Sequence, residues 1–83
     1  MWPDWWEWEA VFTGHAELRM EQRAITEVDV RAMLHHATGY SPSVVPGRFM
    51  IETSHGGRPW IVIVEPDGEE QLLVVVTAYE VAS

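Results

Sequence analysis

The chain reads as an α+β domain, with two helices packed on one face of an antiparallel sheet of four to five strands in the order β-α-α-β-β-β-β. Three observations predict this. Two helical segments with recognisable caps lie between residues 13 and 38. After residue 39 the texture changes to short apolar runs separated by turn signals. Those signals are Pro46-Gly47, Gly56-Gly57 and Pro66-Asp67-Gly68, spaced closely enough to favour a meander over long crossovers.

The first element is read from alternation. Trp6, Trp8, Ala10 and Phe12 fall on one side and Glu7 and Glu9 on the other, so a strand is predicted to start near Trp8. Thr13 is placed to cap a helix from about His15 to Arg23. Thr26 caps the next, with Asp29 three residues on, and Glu27 and Asp29 favour the positive helix end. Its apolar stripe is Val30, Leu34 and Ala37, and Thr38-Gly39 ends it. Tyr40 to Val45 precedes the Pro46-Gly47 turn, and Arg48 to Thr53 forms the following strand. Gly56-Gly57 marks a two-residue hairpin into Trp60–Val64, an apolar run expected to be covered on both sides. Leu72 to Tyr79 is the longest strand candidate and is expected at the centre of the sheet.

The totals bound the function. Eighty-three residues make a single domain, 1–83. A chain of this size buries only about 60% of its unfolded surface, so it needs bulky packing, a staple or association. It has no cysteine, which excludes disulfides and thiolate metal sites, and with no signal peptide in view this points to the cytoplasm. Thirteen acidic residues stand against five basic ones, all arginine, for a formal charge of -8. Such a chain repels phosphate backbones and anionic lipid unless a local patch reverses the sign. No apolar run nears the roughly 20 residues of a membrane span, and the acids among the tryptophans have the wrong sign for an interfacial foot.

The sharpest pattern lies in the first helix. His15, Arg19 and Arg23 are four residues apart and form one ridge. An imidazole beside two guanidiniums has its pKa pushed down and suits a base, while the guanidiniums suit phosphate. On a solvated face the same arginines would pair with Glu17, Glu21 or Glu27. The adjacent His35-His36 pair gives poor metal geometry and no H-x-x-x-H pair exists, so neither metal nor cofactor is expected.

The segment HAELRMEQRAITEVDVRAML, followed by Arg48, GRPWIVIV and LLVVVTAY, resembles the family called domain of unknown function 4258 over roughly residues 13–80. That family is grouped by fold with RelE-like and BrnT-like toxins, small ribonucleases of toxin–antitoxin pairs. The resemblance implies a RelE-like core over 9–80, metal-independent RNA cleavage and an antitoxin-like protein partner. On it, the site residues are His15, Arg19, Arg48, Arg58 and Tyr79, with Arg23 as a further anion contact. His15 or Glu21 is the candidate base. Arg19, Arg48 and Arg58 are the candidate phosphate clamp, and Tyr79 stacks on a nucleobase or donates a proton. Cross-strand pairs with Glu52 or Glu65 are the structural alternative for Arg48 and Arg58.

Residues 1–8 read as a tryptophan-rich extension or lid. Trp6 and Trp8 can each remove about 150–250 Å² from water and so act as core. Trp2 and Trp5 precede the strand and are expected to be hard to bury within one chain, which makes them candidate partner-binding residues. A homodimer is the simplest partner. Two functions therefore stand: a ribonuclease working from the helix ridge, and a non-catalytic interaction module associating through Trp2, Trp5 and the sheet edge.

Overall fold

A computed structural model describes residues 1–81. A 3₁₀ turn over Asp4–Glu7 leads into β1 (Glu9–Phe12), followed by α1 (Gly14–Gln22) and α2 (Glu27–His35). The rest is β2 (Gly39–Pro42), β3 (Phe49–His55), β4 (Arg58–Asp67) and β5 (Leu72–Glu80). The expected element order holds throughout.

The sheet order is β1-β5-β4-β3-β2. The β2–β3, β3–β4 and β4–β5 pairs are antiparallel, as the turn signals required. Gly56 and Gly57 both have positive φ, 60° and 77°, the backbone that a tight two-residue hairpin demands. The antiparallel expectation fails for one pair: β1 runs parallel to β5, with Glu9 opposite Leu72 and Phe12 opposite Val75. The helices carry the chain from β1 to the far edge, and the meander then works back until its last strand meets the first. The sheet is therefore mixed. The central strand is β4, which is also longer than β5 at ten residues against nine, correcting the expectation for Leu72–Tyr79.

The local signals explain the helices. The Thr13 hydroxyl accepts from the Ala16 N–H, and Thr26 and Asp29 form a reciprocal capping box. Ala16 and Met20 of α1, and Val30, Met33 and Leu34 of α2, pack on Ile51, Trp60, Val62, Val64, Leu73, Val75 and Ala78 of the sheet. The core is thus one helix layer on one sheet face. The Thr53 hydroxyl, buried, donates to the Met33 carbonyl at 2.6 Å and ties the end of α2 to β3. The opposite sheet face carries no helix among the described residues. Among the described residues, no helix is long and apolar enough to cross a membrane.

The tryptophan segment closes the end of the core. Trp5, Trp6 and Trp8 pack against it. Trp5 meets Phe49 of β3 with ring centroids 4.9 Å apart and Tyr40 of β2 edge-on at 5.8 Å. Trp2 stacks on Trp6 at 4.3 Å. Trp5 is therefore not hard to bury within one chain, because the end of the sheet offers it two aromatic rings. Trp2 stays 38% exposed.

Candidate functional site

The ridge on α1 forms as its spacing requires. Ala16 and Met20 face the core, which leaves His15, Arg19 and Arg23 along the adjoining edge. Arg19 Nη1 donates to Gln22 Oε1 at 3.2 Å. Arg23 is the C-cap, and its guanidinium turns to β5, donating to Thr77 Oγ1 at 3.1 Å and the Ala78 carbonyl at 2.8 Å. Strand β1 pairs only with residues 72–75, so Arg23 covers β5 past the end of β1. This contact across 55 residues is one that spacing along a helix cannot foretell.

The sheet arginines are each matched to a carboxylate. Arg48 Nε donates to Glu65 at 3.0 Å, the cross-strand alternative weighed from the sequence. Arg58 pairs with Glu80 at 3.2 Å, not with Glu52 or Glu65. Glu80 comes within reach because it lies opposite Trp60 in the β4–β5 register. Arg48 and Arg58 do not converge. Glu65, which holds Arg48, is seven residues along β4 from Arg58, about 23 Å at the rise of a strand. Strand alternation also puts them on opposite faces, Arg58 with Trp60 and Arg48 opposite to its neighbour Phe49.

What does come together is smaller. Arg23, Trp60, Tyr79 and Glu80 line an open depression of about 460 Å³ at one end of the sheet. Arg58 reaches it through Glu80, and His55 meets the Trp60 ring edge-on at 5.6 Å. His15 sits at the other end of α1, eight residues from Arg23 and about 12 Å away at helical rise. The depression therefore has an arginine and a phenol but no imidazole from the α1 ridge. Trp60 and Glu80 were not singled out from the sequence, where they read as an ordinary strand position and a strand end. Among the described residues, no group of three or more His, Asp or Glu side chains is arranged to hold a metal.

Two carboxyls outside this region are shifted. Glu17 is raised above its ordinary 4.5 by a hydrogen bond to Glu27, which needs one of the two protonated, with burial and the Glu27 charge adding to it. Asp29 is lowered below 3.8, chiefly by the Thr26 backbone N–H and also by the Thr26 hydroxyl and nearby His55. The first follows from helix ends meeting, since Glu17 and Glu27 line the groove between α1 and the start of α2, and the second from the Thr26–Asp29 capping box.

A second concavity, of about 530 Å³, lies between the tryptophan segment and α2. Trp6, Trp8, Leu34 and Leu73 line it together with Glu7 and Glu9. The sequence placed Glu7 and Glu9 on the solvent side of the strand pattern and gave no hint that they rim a groove.

Comparison with known proteins gives one result: residues 12–80 match the family described as Domain of unknown function (DUF4258). No curated protein and no solved structure matches the chain significantly.

Proposed function

The chain belongs to the DUF4258 family, and on that premise we propose that it is a non-catalytic protein-interaction module that associates with a second copy of itself through Trp2 and the outer edge of β2. The observation that carries this reading is the state of the arginines. Arg23, Arg31, Arg48 and Arg58 are engaged by a backbone carbonyl or by carboxylates, at separated places. A phosphate clamp needs such groups free and convergent.

The β2 edge supports the positive half. Strand β2 pairs only with β3, so its other side offers unpaired backbone groups. Residues 37–47 carry no charged side chain, in a chain of formal charge -8. Two such chains repel one another least where this stretch meets its copy. Trp2 at 38% exposure, Tyr40 at 36%, Val44 at 98% and Val45 at 43% supply apolar surface beside it. Sedimentation is the test. The full chain is expected to sediment as a dimer, and Trp2→Ala combined with Tyr40→Ala as a monomer. A wild-type monomer at millimolar concentration defeats the proposal.

One observation favours the second reading, a metal-independent endoribonuclease of toxin type with an antitoxin-like partner. Arg23 and Tyr79 line the same depression, as a phosphate contact and a stacking or proton-donating ring would. Cleavage of cellular RNA by the wild type, lost in Arg19→Ala, would replace the interaction reading. Equal growth on induction of both forms would leave it in place.

A further inference from the structure

We infer that the groove between the tryptophan segment and α2 is a binding site for an arginine- or lysine-bearing apolar segment of a partner protein. The inference shares the interaction reading in kind, but it does not depend on self-association, since β2 takes no part in the groove.

The geometry has three components. The floor is dry: Leu34 and Leu73 are 8% and 2% exposed, and Ala10 beside them is 8% exposed. The volume of about 530 Å³ falls in the range of about 300–1,000 Å³ typical of ligand sites. The walls include Trp6 and Trp8, both half-buried, with the body of each indole against the core. Trp2 already stacks on Trp6, whereas Trp8 has no aromatic partner among the described residues. The rim carries Glu7 and Glu9, both exposed, on either side of Trp8 in the chain. Among the described residues neither carboxylate has a cationic partner.

Indoles between carboxylates select an organic cation. The ring quadrupole attracts it, the carboxylates accept its N–H groups, and an apolar stem can lie on the floor. Two basic groups on the opposite wall bear on the sign. Arg31 is already engaged, 3.7 Å from Glu27 and 5.2 Å over the Phe12 ring. His35 stands exposed at the end of α2, where it flanks the entrance. The formal charge of -8 draws a basic segment towards the whole molecule, and the groove supplies the local fit. Free amino acids offer the same cation without the apolar flanks, so the committed occupant is a peptide segment.

The probe is a blocked hexapeptide alternating leucine and arginine, titrated into the isotopically labelled full chain and followed by amide shifts. Shifts are expected to cluster at Trp6, Trp8, Leu34 and Leu73. Affinity should fall about tenfold in Glu7→Gln combined with Glu9→Gln, and by a similar factor when citrulline replaces arginine in the probe. Glu69→Gln combined with Glu70→Gln, in the turn before β5, removes the same charge and should change affinity less than about twofold. Equal losses in the two double variants, or shifts spread over acids elsewhere, would reduce the effect to net charge and overturn the assignment. Blocked arginine alone binding as tightly as the hexapeptide would overturn the peptide claim. None of these outcomes touches the sedimentation result, so the two proposals fail separately.

Discussion

Replacing Trp5 with alanine should cost this domain a large part of its stability, and clearly more than the same change at Trp2. A domain of this length is held by about 0.05–0.15 kcal/mol per residue, or about 4–12 kcal/mol in all. Trp5 is more buried than exposed, so roughly two-thirds of an indole's 150–250 Å² is removed from water, equivalent to about 2.5–4 kcal/mol. Its rings also pair with Phe49 at 4.9 Å and Tyr40 at 5.8 Å. Pairs of this kind contribute about 0.5–1.5 kcal/mol each beyond area. The expected loss for Trp5→Ala is about 4–5 kcal/mol, where this sum overlaps the range of core tryptophan truncations. Trp2 is 38% exposed, is not among the residues packed on the core, and touches the rest mainly through Trp6 and Tyr40 beside the first residue, so Trp2→Ala should cost less, about 2 kcal/mol. Urea unfolding followed by far-ultraviolet circular dichroism checks this without relying on the altered fluorophore. The midpoint should fall by about 2 M for Trp5→Ala and by about 1 M for Trp2→Ala. Equal small losses would mean that the segment is not core and that Trp5 is as available to a partner as Trp2.

Three further outcomes follow from the same contacts. Thr53→Val keeps shape but deprives the Met33 carbonyl of its donor, and should cost about 1–3 kcal/mol in the same assay, with Thr53→Ser recovering most of it. Ala24→Gly should stabilise by about 0.5–1 kcal/mol, because Ala24 has φ 58° just past α1, where glycine carries no side-chain penalty. The two shifted carboxyls act in opposite senses with pH. Asp29 is lowered, so its contribution is present above pH 3.8 and lost as pH falls through its folded value; the gap between wild type and Asp29→Asn should shrink there. Glu17 is raised, so the folded state favours its protonated form and that contribution is lost as pH rises through the folded value. Glu17→Gln should therefore exceed wild type in stability at neutral pH but not in acid.

Local chemistry made most of the fold legible. Thr26 and Asp29 announced a helix start that the capping box fulfils, and two consecutive glycines announced the β3–β4 hairpin. The end of α1 had no glycine to mark it, and the chain turns there on left-handed Ala24 instead. The parallel β1–β5 pair was not legible, because strand periodicity records which face a residue takes and not the direction of its neighbour. The candidate site was legible only in part. Four-residue spacing put His15, Arg19 and Arg23 on one edge, but where Arg23 reaches depends on how short β1 is. Strand register decided that Arg48 meets Glu65 and Arg58 meets Glu80. The groove at Trp8 comes from a 3₁₀ turn over Asp4–Glu7 that an alternating reading passes over.

The pairing of the first strand with the last has a consequence for biosynthesis. Residues 9–12 find their partners only when residues 72–75 exist, so the first strand must wait for the last while a ribosome makes residues 13–71 between them. Until then β1 has backbone groups without sheet partners. Losing β5 would thus leave β1 without a partner and uncover the apolar side chains it holds against the core.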